Sequence, residues 1–317
     1  MKDMTVAIVG AGLIGRSWAI TFARAGCKVR LNDPESAALD AARQFIASVG
    51  EDLQANGLLG GCTPDEVLDA VRTTVDLGEA VSGAGWVQEN GPEKIDIKRA
   101  IFGEIEAHAA PEAILASSSS ALLPSAIFEA AARPERCLVA HPINPPYLVP
   151  AVELVPSDRT SDATMAEAER VMTAVGQSPM VMKREIDGFI VNRLQGALLH
   201  EAFRLVAEGY AGADDIDRAL ADGLALRWSF IGPFETIDLN APGGVADYVA
   251  RYEGMYAEMF EGMKHRVDWA DAVKGGIEAA RREHTTVSGL NDRQVWRDRR
   301  LMALRKHKRD ADKDIGR

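Results

Sequence analysis

A histidine and a glutamate stand 12 residues apart, His141 and Glu153, in segments otherwise built of apolar residues and prolines. His141 follows the run Leu138-Val139-Ala140 and opens His141-Pro142-Ile143-Asn144-Pro145-Pro146, where three prolines in five residues stiffen the chain. A neutral imidazole in such a place can take a proton from a hydroxyl near neutral pH. Glu153 sits inside Val152-Glu153-Leu154-Val155, and a buried carboxylate needs a partner. An imidazole is a good one, because the acid fixes its tautomer and stabilises the imidazolium that forms in catalysis. The spacing alone leaves a second reading open, a histidine satisfied within the core.

The second group of residues is Gly10-Ala11-Gly12-Leu13-Ile14-Gly15, which fits G-x-G-x-x-G. It follows the strand-like run Val6-Ala7-Ile8-Val9 and opens a helical pattern, the context a dinucleotide fingerprint requires. Gly10 permits the tight turn, Gly12 lets a pyrophosphate approach the backbone, and Gly15 lets helix pack on strand. Leu13 and Ile14 stand at the helix N-terminus, where free N–H groups and the positive dipole end favour phosphate. Asp33 comes 18 residues after Gly15. A carboxylate there accepts from both ribose hydroxyls and repels a 2′-phosphate, and neither Asn32 nor Pro34 supplies a cation. The expected cofactor is NAD.

These residues need a scaffold. The opening reads strand, glycine turn, helix from about Leu13 to Ala25, Gly26 cap, and a second strand from Lys28 to Leu31, a βαβ unit with a parallel pair. Short apolar runs recur at 86–88, 114–116, 138–140, 152–155 and 180–182, with helical patterns at 94–110 and 162–175. That alternation predicts an α/β domain with a Rossmann-type doubly wound sheet over residues 1–185. Beyond Asp187-Gly188, apolar residues fall at helical spacing (Ile190, Leu194, Leu198, Ala202, Leu205), and Asp214 or Asp215 is positioned to cap a following helix. Residues 186–317 therefore read as an all-helical C-terminal domain, with a turn at Pro242-Gly243-Gly244.

Composition narrows the function classes. The chain has 317 residues, 47% hydrophobic and 26% charged, which excludes a disordered or collagenous polymer. Its 36 basic against 47 acidic residues give a net charge of −11, so no nucleic acid or anionic membrane partner is expected. Cys27, Cys62 and Cys137 are odd in number and lack metal-ligand spacing, suiting a reducing compartment and no metal. The N-terminal residues lack the form of a signal peptide. The longest uncharged stretches, 113–128 and 137–152, are too short to span a bilayer. A cytoplasmic protein is expected. The basic stretch Arg293–Arg309 reads as a solvated helix end with Trp296, Leu301 and Leu304 as its apolar stripe.

Taken together, the glycine motif, the serine run Ser117–Ser120, His141-Pro-x-Asn-Pro, Glu153 and Gly188-Phe189-Ile190-Val191-Asn192-Arg193 resemble the 3-hydroxyacyl-CoA dehydrogenase superfamily. The likeness runs from residue 5 to about residue 260, with five motifs in order. It implies that His141 and Glu153 form a catalytic dyad, that Ser120 and Asn192 contact the reacting oxygen, and that Glu93 and Lys98 lie on the nicotinamide side of the cofactor. It also implies a helical dimerisation domain, hence a homodimer. Within the superfamily the sequence is most similar to the lambda-crystallin or L-gulonate 3-dehydrogenase branch. The segments that carry this likeness are Ser117–Pro124, His141–Tyr147, Val152–Pro156, Asp222–Trp228, Phe230–Thr236 and Trp296-Arg297-Asp298. L-Carnitine dehydrogenases resemble some of the same segments.

One physical argument separates substrates. CoA carries phosphates and needs cations. Residues 34–92 contain no lysine, only Arg43 and Arg72, against ten acids. A phosphate there meets net repulsion. The expected substrate is therefore a small free hydroxy acid, oxidised at its 3-hydroxyl. Arg227, in Gly223-Leu224-Ala225-Leu226-Arg227-Trp228, can bind its carboxylate bidentately, or can serve in an ion pair at a dimer contact. A 3-hydroxybutyryl-CoA dehydrogenase, an L-carnitine dehydrogenase using Trp228 toward a quaternary ammonium, and a crystallin-like structural protein are the alternatives.

Overall fold

The computed structural model describes Met1 and residues 4–316. The chain forms two compact units, Met1–Ile190 with Asp298–His307, and Val191–Arg297 with Lys308–Arg317.

The first unit opens β1 (Thr5–Val9), α1 (Leu13–Ala23), β2 (Lys28–Asn32), α2 (Ser36–Ala55), α3 (Pro64–Asp69), β3 (Val71–Thr74) and α4 (Leu77–Val81). It continues β4 (Trp86–Glu89), α5 (Ile95–His108), β5 (Ile114–Ser117), α6 (Pro124–Ile127), β6 (Cys137–Pro142), β7 (Ala151–Val155), α7 (Asp162–Ala174) and β8 (Ser178–Val181). The eight strands make one sheet in the order β3-β2-β1-β4-β5-β6-β7-β8. Neighbours run parallel except β6 and β7, which are antiparallel. Helices cover both faces, so alternate residues of one strand enter different cores: Ile8 and Leu138 lie on one side, Ala7 and Val139 on the other. This is why the strands read as unbroken apolar runs. Gly15 is required where α1 meets β1, since a Cβ there would stand 1.8 Å from the Gly10 carbonyl oxygen. The sheet's outer strand β3 buries only Val71, and its remaining residues are polar.

Val191 begins the second unit, five residues beyond the boundary expected at 185/186. The turn before it stays with the sheet because Phe189 is fully buried in the core beside β6 and the Ile190 N–H bonds Glu153. This unit holds α8 (Val191–Ala207), α9 (Ala213–Arg218), α10 (Ala225–Trp228), α11 (Pro233–Leu239), α12 (Gly244–Gly262), α13 (Trp269–Ala272) and α14 (Glu278–His284). Gly212, not Asp214 or Asp215, occupies the N-cap of α9. Asp214 is taken up by His284 at 2.9 Å and Arg281 at 3.5 Å. The last helix, α15 (Leu290–Asp314), is more than a solvated end. Its middle, 298–307, belongs to the first unit: Met302 is 2% exposed, Arg299 pairs with Asp52 at 2.8 Å, and Arg305 donates to the Leu148 carbonyl. None of the helices among the described residues is long and apolar enough to cross a membrane.

Candidate active site

The antiparallel turn from β6 to β7 sets His141 directly opposite Glu153 in the ladder. Neighbouring residues in register point to the same face, so the two side chains meet. His141 Nδ1 lies 2.6 Å from Glu153 Oε2, with His141 buried and Glu153 at 0% exposure. The Ile190 N–H donates to Glu153 Oε1 at 2.6 Å. With Nδ1–H given to the carboxylate, the neutral ring keeps its lone pair on Nε2, the nitrogen a general base uses. Phe189 lies against the ring, its centroid 5.7 Å away. It is the sole non-glycine residue with positive φ among those described, at 48°, and follows Gly188 at 76°. Left-handed backbone costs about 1–2 kcal/mol in a non-glycine residue. These two residues turn the chain so that the next N–H reaches Glu153. The sequence places Phe189 and Ile190 in the Gly188–Arg193 motif but assigns neither a role beside Glu153.

The glycine loop fits a dinucleotide. Gly10 has φ 96° and Gly12 caps α1 without any side-chain hydrogen bond, leaving the first-turn N–H groups to a ligand. A Cβ built at Gly12 meets nothing within 4 Å, so the backbone there borders open space. Leu13 and Ile14 form the first turn of α1. Asp33 follows β2 and accepts from Ala11 N at 2.8 Å through Oδ2 and from Glu35 N at 3.0 Å through Oδ1. It therefore ties the glycine loop to β2 while keeping lone pairs for ribose hydroxyls.

At the ends of β4 and β5 a polar network replaces the apolar core. Ser118 Oγ accepts from Trp18 Nε1 at 3.0 Å and Gln88 Nε2 at 2.7 Å, and donates to Asn90 Oδ1 at 2.8 Å. Gln88 also donates to the Ala140 carbonyl beside His141. Ser119 Oγ, Ser120 N and Ala121 N all donate to Glu93 Oε1, at 2.5, 2.9 and 3.0 Å. Burial raises the Glu93 carboxyl, but the Ser119 hydroxyl, the Lys98 charge and the Ala121 and Ser120 amides outweigh it and hold it below the ordinary glutamate value. Lys98 is 1% exposed and directed at Glu89, a buried acid that sequence reading passed over. Asn192 stands in the first turn of α8 and Arg227 in α10, both in the second unit. Arg227 is exposed and forms no side-chain hydrogen bond or ion pair among the described residues. No cluster of three or more His, Cys, Asp or Glu able to hold a metal occurs among them either.

A doubly wound sheet with this glycine loop and this acid after β2 defines a dinucleotide-dependent oxidoreductase of Rossmann type. The 3-hydroxyacyl-CoA dehydrogenase NAD binding domain matches residues 5–186, and the C-terminal domain of the same family matches residues 188–277. The chain belongs to the 3-hydroxyacyl-CoA dehydrogenase family and is an NAD-dependent dehydrogenase acting on a hydroxyl group. It is 40% identical to lambda-crystallin of Oryctolagus cuniculus over 307 residues, 96% of each chain. It is 38% identical to L-carnitine dehydrogenase of Pseudomonas putida over 249 residues, 78% of this chain and 76% of that one. Among solved structures it resembles 5-formyl-3-hydroxy-2-methylpyridine 4-carboxylic acid 5-dehydrogenase, an NAD+ dependent dismutase, with TM-score 0.82 and 28% identity, covering 96% of this chain and 98% of that one.

Proposed function

We propose that the protein oxidises the 3-hydroxyl of a small free hydroxy acid, in the manner of an L-gulonate 3-dehydrogenase. The 2.6 Å pair between His141 Nδ1 and Glu153 carries this reading. His141 Nε2 takes the hydroxyl proton, and Glu153 stabilises the imidazolium. When bound, NAD supplies the hydride acceptor. Ser120 and Asn192 hydrogen-bond the substrate oxygen, on which negative charge develops in the reducing direction. Arg227 pairs with the carboxylate. The free acid is favoured over a CoA ester by residues 34–92, where ten acids outweigh two arginines and a CoA phosphate meets net repulsion.

The likeness to L-carnitine dehydrogenase supports a second reading, in which the exposed ring of Trp228 faces a quaternary ammonium. The homodimer is a further part of the proposal. Phe230, Phe234 and Leu239 of the second unit are each at least 70% exposed, an apolar surface suited to a second copy. The test is a panel of L-gulonate, L-carnitine, 3-hydroxybutyrate and 3-hydroxybutyryl-CoA, followed by NADH absorbance. The highest kcat/KM is expected for L-gulonate. A preference for the CoA ester would overturn the free-acid reading, and a preference for L-carnitine would replace it with the second.

A further inference from the structure

The loop that joins β6 to β7, residues 143–150, is largely buried. Pro145 and Pro146 bring no N–H to it, so its buried carbonyls need donors from elsewhere. The Pro145 carbonyl accepts from the Leu148 and Val149 amides, at 2.9 and 2.8 Å. The next three carbonyls are served by side chains of three separate elements. Gln177, between α7 and β8, donates to the Pro146 carbonyl at 3.1 Å. Arg24, just after α1, donates to the Tyr147 carbonyl at 2.7 Å. Arg305 of α15 donates to the Leu148 carbonyl at 3.1 Å. The same helix takes the Tyr147 hydroxyl, which donates to Asp298 Oδ2 at 3.3 Å. Tyr147 and Leu148 are each 1% exposed. Burial first, and then the Arg305 charge, pull the Arg24 guanidinium down to about 10. Two cations thus converge on neighbouring carbonyls at mutual cost, which the packing of a helix on a core does not require.

We infer that the 298–307 stretch of α15 is a clamp on this loop, with Asp298 and Arg305 as positioning residues that act through Tyr147 and Leu148 on the spacing of His141 and Glu153. The inference deepens the proposed function, since it rests on those two residues as the dyad. His141 and Glu153 face each other in one register of β6 and β7, and a slip of one residue would send one of the two side chains to the other face. Little of the ladder lies beyond them. Pro142 pairs with Val152 but has no N–H to give, and the Ile143 N–H reaches the Ala151 carbonyl at 3.2 Å. The shape of the loop therefore decides how that end of the hairpin closes. Asp298 and Arg305 hold two of its residues from 151 and 157 positions away in the chain. Arg299 on the same helix supplies a contrast: its ion pair, at 2.8 Å, is with Asp52 of α2 and not with the loop.

The experiment compares the full-length wild type with Arg305→Met, Tyr147→Phe and Arg299→Met. One readout is kcat, KM and the Kd for NADH alone, taken with whichever member of the substrate panel has the highest kcat/KM. The other needs no substrate: the low-field proton resonance of His141 Nδ1–H in its 2.6 Å bond to Glu153, assigned by its absence in His141→Ala. In Arg305→Met kcat is expected to fall about tenfold, the worth of roughly one hydrogen bond from a charged group, with KM and the NADH Kd within about threefold of wild type. The resonance should shift or vanish. Tyr147→Phe keeps its ring in the core and should change both readouts in the same direction, so it answers the question if Arg305→Met does not fold. Arg305→Lys should restore most of kcat, because one carbonyl needs one N–H. Arg299→Met should match wild type in both readouts. Wild-type kcat and an unmoved resonance in folded Arg305→Met and Tyr147→Phe would overturn the clamp. So would equal losses in Arg305→Met and Arg299→Met, the signature of simple helix docking. If wild type oxidises no member of the panel, the substrate reading fails and the resonance alone decides the clamp.

Discussion

Glu153→Gln replaces one carboxylate oxygen by an NH2 group at a site where both oxygens accept. Oε2 faces His141 Nδ1 at 2.6 Å and Oε1 faces the Ile190 N–H at 2.6 Å. A glutamine has one acceptor for these two donors. If its oxygen stays with Ile190, its NH2 faces Nδ1. The imidazole must then accept at Nδ1, so its proton sits on Nε2 and the lone pair of the base is gone. If its oxygen turns to Nδ1, two donors confront each other at Ile190, and the Gly188–Phe189 turn has to give. Bulk water does not reach either arrangement, because Glu153 is 0% exposed. Loss of a general base costs roughly 10²–10⁴-fold in rate. At about 1.36 kcal/mol per decade this is about 2.7–5.4 kcal/mol of transition-state stabilisation. The assay is steady-state NADH formation from L-gulonate at saturating NAD, with NADH affinity from fluorescence quenching. The variant should lose at least about two decades of kcat and bind NADH as wild type does. A folded Glu153→Gln protein with kcat within about threefold of wild type would refute the tautomer argument, because it would place the barrier change below 1 kcal/mol.

Three further outcomes follow from other parts of the molecule. Wild type should prefer NAD to NADP in kcat/KM, and Asp33→Ala should erase most of that preference while also freeing the Ala11 and Glu35 amides it holds; equal use of both cofactors by wild type would remove Asp33 from the site. Arg227→Met should raise KM for the acid about ten- to a hundredfold, the worth of a charge-assisted pair at roughly 1.5–3 kcal/mol, with Arg227→Lys recovering little; size-exclusion chromatography separates this from a dimer contact, which predicts a changed association state and an unchanged KM. Burial pushes the Cys27 thiol up to about 11 and the Cys137 thiol up to about 12. The fold therefore favours the protonated thiols. Their contribution is complete below the ordinary thiol value of 9.0 and is lost as pH rises from there toward those values. Iodoacetamide at about pH 8 should accordingly spare both in the native protein and label both in denaturant.

The sequence carried the opening of the fold because each of its parts is a local necessity. A strand, three spaced glycines, a helix and an acid leave few alternatives, and the Gly15 contact of 1.8 Å shows why no side chain is tolerated there. The pairing of His141 with Glu153 was legible as a need of Glu153 for a partner. The means was not: strand direction is absent from an apolar run, and only the antiparallel register of β6 and β7 brings the two side chains together. Strand β3 was hidden because Val-Arg-Thr-Thr at a sheet edge buries one residue and has no hydrophobic pattern. The return of 298–307 to the first unit was hidden for a related reason. In that basic stretch the anchoring is done by Met302 and by single polar contacts such as Arg305 to a carbonyl, which no periodicity announces. The burial of Lys98 against Glu89 is a tertiary fact that no local pattern announces.

The central claim is that His141 removes the substrate's hydroxyl proton. Its most direct measurement is a single-turnover experiment on His141→Ala, mixing enzyme and NAD with L-gulonate and following the first equivalent of NADH. The account predicts that NADH formation slows by about 10²–10⁴-fold while the Kd for NADH alone is unchanged. A first turnover at the wild-type rate in the folded variant would contradict it.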